Sequence, residues 1–147
     1  MNNQELYKTA VEFVQKAHAG QKRKGNGEPY FNHVKRVSDA ISEFSPIAKI
    51  AALLHDTVED CGIEVVDIHD AFGEDIAAVV FLLTRQKDET YYEFIHRLTD
   101  NHDALLVKQA DLKDNTSDLS EGSLKDKYRF ALDVVEAAIE EHLESHE

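Results

Sequence analysis

The sequence reads as an all-α chain, a bundle of about seven or eight helices, and three observations carry that reading. Apolar residues recur at three- and four-residue spacing through most of the chain. No stretch keeps the strict alternation of a half-buried strand convincingly. Glycines and prolines fall between the periodic segments, where helices end or begin.

Taken in order, residues 3–19 form an amphipathic helix through Leu6, Ala10, Phe13, Val14 and Ala17, and Gly20 ends it. Residues 21–30 are a turn-rich loop with Gly25, Gly27 and Pro29. A second helix runs from about Phe31 to Phe44, with Val34, Val37, Ile41 and Phe44 on its buried side. Ser45-Pro46 is a start signal, a cap followed by proline at the first helical position. That third helix continues through Ile50, Leu53 and Leu54 into His55-Asp56-Thr57-Val58-Glu59-Asp60. Short helices from Glu64 to Phe72 and from Glu74 to Leu83 follow, divided by Gly73. Val79 to Leu83 has strand propensity, but Glu74-Asp75 and the alanines before it favour helix. After a polar loop at 84–89, Thr90 to Leu98 is helical, and Asp100 or Asn101 caps a helix running to about Leu119. Ser120 to Ser123 is a turn, and a last helix from about Leu124 carries Tyr128, Ala131, Leu132, Val135, Ile139 and Leu143 inward.

A chain of 147 residues suits one domain spanning 1–147 with a substantial core. No apolar run approaches the roughly 18 to 20 residues needed to cross a bilayer. The start, Met1-Asn2-Asn3-Gln4-Glu5, lacks the basic and apolar segments of a signal peptide. A single cysteine, Cys61, forms no internal disulfide and fits a reducing cytoplasm. The net charge of -13 argues against nucleic acid or membrane as partner, since both are polyanions. Lys22, Arg23, Lys24, Lys35 and Arg36 nevertheless gather in one stretch, which suits a small phosphorylated ligand.

Three segments offer chemistry. In the first, helical spacing sets Asp56 with Glu59, His55 with Glu59 and Asp56 with Asp60 on one side of a helix end. Carboxylates so crowded repel one another, and a divalent cation is the economical remedy. A solvated helix end is the plainer alternative, but acids at a C-terminus oppose the helix dipole. In the second segment, Asp111 and Asn115 share a helix face. The third is His33, after Pro29-Tyr30-Phe31-Asn32; His18, near the basic loop, is a further candidate for the lining. His69, His96, His102, His142 and His146 have no acidic partners at useful spacing.

The order His33 … His55-Asp56 … Asp111 resembles the HD superfamily of metal-dependent phosphohydrolases. In detail, Ala17-His18-Ala19-Gly20-Gln21-Lys22-Arg23-Lys24, Gly27 to His33, Ala52 to Asp60 and Lys108 to Asn115 look like the hydrolase domain of RelA/SpoT-type enzymes. The layout is similar to the stand-alone small alarmone hydrolases, the Mesh-like proteins. The resemblance covers most of the chain and implies an HD-domain helical bundle. It implies one Mn²⁺ held by His33, His55, Asp56 and Asp111, with Glu59 and Asp60 orienting and deprotonating water. It places Arg23 or Lys24 against the purine or phosphates, Asn115 near the ribose and Tyr128 near the phosphates. The implied reaction removes the 3′-pyrophosphate of guanosine tetra- or pentaphosphate, or of the adenosine equivalents. Three positions depart from the family pattern: Val34, where proline is usual; the length of the 23–27 loop; and Leu112, where a basic residue is common.

The residue chemistry suits those roles. Imidazole and carboxylate donors match Mn²⁺, Fe²⁺ or Zn²⁺. Four protein ligands leave room in an octahedral shell for water and a phosphate oxygen, and Glu59 is placed as a general base. The basic loop offsets diphosphate charge. Two other readings stay open: an HD-type nucleotidase acting on nucleoside monophosphates, and a catalytically silent alarmone-binding protein.

Overall fold

The bundle is built around α3 (Pro46–Leu54), which is apolar at every position but Lys49. Six of its nine residues are buried, among them Ala48, Ala51 and Ala52, whose small side chains let neighbouring helices approach closely. The computed structural model describes residues 1–117, 119 and 121–145. Among them are nine helical segments: α1 (Asn3–Ala17), α2 (Tyr30–Asp39), α3, α4 (Thr57–Cys61), α5 (Val65–Phe72), α6 (Glu74–Leu82), α7 (Tyr91–Leu98), α8 (His102–Ser117) and α9 (Ser123–Ser145). The one-turn α4 directly follows α3, so the bundle has eight principal helices. No strand occurs among the described residues; the one bridge, Lys22 with Pro29, closes the basic loop at its base. Helix α3 packs on α1, α2, α6 and α8, and α9 lies along α8.

Local chemistry explains most boundaries. Asn2 Oδ1 accepts from Glu5 N at the start of α1. Thr90 and Glu93 form a capping box on α7, and Glu64 with Asp67 form another on α5. Asn101 Oδ1, not Asp100, accepts from Ala104 N below α8. The segment 79–82 is helical, as its acidic, alanine-rich lead-in requires. Gly62, at φ +69°, closes α4 in the left-handed region that other residues rarely adopt. No helix among the described residues is long and apolar enough to cross a membrane.

Three expectations need correction. Helix α2 stops at Asp39 rather than Phe44. Lys49 Nζ, from α3, donates to the carbonyls of Ser38 and Ile41 and ends it. The chain then turns through Ser42–Ser45, and Phe44, expected inside, is 96% exposed. Leu143, expected inside, is also exposed, although the neighbouring His142 still reaches Thr99 O. The third helix does not run through the His55–Asp60 segment: α3 ends at Leu54, and Asp56 becomes the N-cap residue of α4. Thr57 Oγ1 donates to Leu54 O, and the His55 ring takes the Ala52 carbonyl through Nδ1, so side chains occupy the carbonyls that end α3. Glu59 and Asp60 thus sit in the first turn of a helix, where the dipole favours acids, not at the end of one. The expected turn residue Ser120 and His146, one of the histidines set aside above, lie outside the described residues.

Candidate active site

Four side chains from three regions of the chain meet at the inner end of α3. His33 stands on α2, His55 and Asp56 at the α3–α4 junction, and Asp111 on α8. One ligand atom from each lies within 4.8 Å of all the others. Asp111 Oδ1 is 3.0 Å from His33 Nε2 and 3.2 Å from His55 Nε2. Asp56 Oδ2 is 3.1 Å from His55 Nε2 and 3.9 Å from His33 Nε2. His33, His55 and Asp111 are buried; Asp56 is partly so.

The outer groups of these residues are also engaged. Nδ1 of His55 faces the Ala52 carbonyl, and Nδ1 of His33 faces Asp114 Oδ2 at 2.6 Å. Both imidazoles therefore turn Nε2 inward, the arrangement of a ligating histidine. Tyr30 Oη donates to Asp56 Oδ2 at 2.6 Å, and Lys108 Nζ donates to Asp111 Oδ2 at 3.1 Å.

Electrostatics at the centre calls for positive charge. Burial by itself would depress the His55 pKa, but the Asp56 and Asp111 carboxylates outweigh it and hold the imidazolium well above its ordinary range. Burial likewise opposes ionisation of Asp111, yet Lys108 and His55 hold its carboxyl well below the usual value. Two carboxylates and two imidazoles converging on one point suit a divalent cation. The donor set fits a metal of intermediate hardness.

Beside the cluster opens a cavity of about 230 Å³. Its lining includes the acids Asp56, Glu59 and Asp111 and the bases Arg85, Lys108 and Lys127. Tyr30, Tyr91, Phe94 and Tyr128 add aromatic surface. Lys127 Nζ sits 4.1 Å from the Tyr91 ring centre, a cation–π contact. Tyr91 Oη is buried with no hydrogen-bond partner among the described residues. Burial raises the Glu59 pKa, while the Arg85 N–H that bonds its carboxylate pulls the other way. Burial and the Asp56 charge raise that of Asp60.

The sequence candidates therefore divide. His33, His55, Asp56 and Asp111 come together. Glu59, Asn115 and Tyr128 line the cavity beside them. Asp60 instead accepts from Gln21 Nε2 at 3.3 Å. Arg23 is 9% exposed, and its guanidinium binds Asp114 O and Asn115 Oδ1, each at 3.1 Å. Lys24 is exposed on the loop and is not among the residues lining the cavity. His18 is buried against Tyr30, with Nδ1 2.7 Å from Gln21 Oε1 and 3.2 Å from Cys61 Sγ. The basic residues of the lining escaped the sequence reading. Lys108 carried a usable signal, three residues before Asp111 on one helix face. Arg85 and Lys127 carried none, since a loop and a distant helix bring them in.

The HD domain family model matches residues 10–114. The chain belongs to the HD domain family. This HD domain protein is 32% identical to the guanosine-3′,5′-bis(diphosphate) 3′-pyrophosphohydrolase MESH1 of Danio rerio, across 91% of this chain and 88% of that one. It is 37% identical to the Drosophila melanogaster MESH1, over 69% of this chain and 63% of its relative. Against the guanosine-3′,5′-bis(diphosphate) 3′-pyrophosphohydrolase of Aquifex aeolicus it is 34% identical over 75% of its own length, but spans only 17% of that longer protein. A solved structure of a metazoan SpoT orthologue that hydrolyses ppGpp superposes with a TM-score of 0.72 at 27% identity. That likeness covers 91% of this chain and 85% of the other, and it places the helical bundle in the HD fold.

Proposed function

We propose that this HD domain protein is a Mn²⁺-dependent pyrophosphohydrolase acting in the cytoplasm on purine nucleotide 3′-pyrophosphates, (p)ppGpp or its adenosine counterpart. The observation that carries the reading is one cavity that acidic and basic side chains line together. Asp56, Glu59 and Asp111, two of them in the four-residue cluster that could hold a cation, line it together with Arg85, Lys108 and Lys127, and Lys108 bonds Asp111 directly. The metal would be held by His33, His55, Asp56 and Asp111, and it supplies Lewis acidity and a lowered pKa for water.

The chain's own groups do the rest. Glu59, fixed by the Arg85 N–H, takes the proton of the attacking water. Asp60, a residue further on, assists from its bond to Gln21. Water oxygen bonds to the phosphorus next to the ribose; the bond from that phosphorus to the 3′-oxygen breaks, and the ribose oxygen leaves with a proton. Arg85, Lys108 and Lys127 offset the charge of the departing pyrophosphate, and Tyr91 Oη and Tyr128 offer hydroxyl donors to it. Asn115 stands at the same cavity for the ribose. Arg23 contributes by holding Asn115, and Lys24 remains available to the base or phosphates from the loop.

The test is release of pyrophosphate from ppGpp and ppApp by the purified protein with Mn²⁺. No release from either substrate overturns the proposal. Activity confined to plain monophosphates would indicate a nucleotidase, and micromolar binding without turnover a silent sensor. Three cations around one cavity favour the more highly charged substrate.

A further inference from the structure

Helix α8 presents two carboxylates to the same imidazole. Asp111 and Asp114 lie three residues apart and so share a face. Asp111 Oδ1 meets His33 Nε2 at 3.0 Å, and Asp114 Oδ2 meets His33 Nδ1 at 2.6 Å. The ring is 1% exposed and is held edge-on between the rings of Tyr30 and His55.

Asp114 is itself held. Arg36 Nε donates to its Oδ1 at 2.8 Å, and Arg36 Nη2 to its Oδ2 at 3.1 Å. Arg23 Nη1 stands 3.1 Å from Oδ2. Glu28 takes the remaining Arg36 donors and also pairs with Arg23. The chain of contacts therefore runs from the basic loop, through two arginines, to one carboxylate and then to the inner ring.

We infer that Asp114 is a positioning residue for the metal centre: it accepts the Nδ1 proton of His33, fixing the tautomer that leaves Nε2 free to ligate, and Arg36 fixes Asp114 in turn. The inference rests on the reading of His33 as a metal ligand. Asp114 touches neither the cavity nor a substrate position; it acts through the ring. Outer partners of ligating histidines typically carry about 10- to 100-fold in metal affinity.

Titration calorimetry with Mn²⁺ alone, on full-length protein first stripped by a chelator, tests this. Wild type is expected to bind one ion, and Asp114→Ala to bind it about 10- to 100-fold more weakly. Asp114→Asn, which keeps a carbonyl acceptor, recovers part of the loss, and Arg36→Met loses less than Asp114→Ala. A long-range proton–nitrogen spectrum of the Zn²⁺-loaded wild type should show His33 protonated at Nδ1. That spectrum decides the matter even if Asp114→Ala does not fold. Unchanged affinity in a folded Asp114→Ala, or a His33 protonated at Nε2, overturns the inference while leaving the proposed reaction standing. Wild type that takes up no ion removes both.

Discussion

The main-chain N–H of Arg85 donates to Glu59 Oε1 at 2.6 Å, so the loop after α6 aims the acid that would act on water. The donor is backbone, while the Arg85 side chain bonds Glu89 O through Nε and lines the cavity. Arg85→Ala should therefore leave Glu59 in place. The expected result is a raised KM with a smaller fall in kcat, since Arg85 also offsets charge on the departing pyrophosphate. Glu59→Gln, in contrast, should lower kcat by about 10² to 10⁴ with little change in KM. Steady-state kinetics on both variants separates the two roles.

Glu59 also sets a pH dependence. Burial raises its pKa above the ordinary 4.5, and a base must be ionised to act. Activity should fall as pH drops through that raised value, at a higher pH than an exposed glutamate would give. The acid limb of the kcat profile should disappear in Glu59→Gln, whose residual rate has no such group to titrate.

Lys108 bears on stability as much as on substrate. Its ammonium is held above the usual lysine range: burial opposes the charge, but Asp111 and Tyr91 outweigh it. Removing one partner of a buried pair commonly costs about 3–5 kcal/mol. Lys108→Met should lose stability of that order in the presence of a chelator. A divalent ion on Asp111 should restore part of it. Urea denaturation with and without Mn²⁺ reads both values.

Metal uptake should also appear in thermal melts of the wild type. A ligand at 100 times its Kd stabilises the folded state by about 2.7 kcal/mol. For a chain of this size that corresponds to a rise in Tm of about 5–10 °C. His55→Ala or Asp56→Ala should abolish the rise along with turnover. A full rise in either variant would remove that residue from the ligand set.

Acid stability tests the network around the basic loop. Arg36 pulls the Glu28 pKa from 4.5 to about 2. A group with a depressed folded pKa stabilises above its unfolded value and loses that contribution as pH falls through the folded one. The Tm gap between wild type and Glu28→Gln should thus be full near neutrality, shrink below pH 4.5 and close towards about 2.

Particular residues show how far the sequence was legible. Helical periodicity gave α1, α5, α6 and α7 nearly to their ends, because their caps lie within the segments themselves. It overran α2, because the lysine that ends it comes from the next helix. It also ran α3 through His55, because the apolar period carries no sign of side chains turning back onto carbonyls. The four converging donors were legible as types in order along the chain. Arg36 and Asp114 were not, since 78 residues separate a pair that only folding joins. Arg23 was assigned to ligand for its charge, while its burial against α8 belongs to tertiary structure alone.

The carbonyl that orients His55 belongs to Ala52, an alanine with no exposed surface in the last turn of α3. Scaffold and reactive centre consequently share atoms, and no seam divides them. Grafting the four donors onto another helical framework would carry over their identities but not their aim. A faithful transplant would have to bring the alanine-rich interior of α3 with it. For the same reason, an oversized side chain at Ala52 or Ala48 should be felt first as a loss of grip on the ion, before any helix is lost.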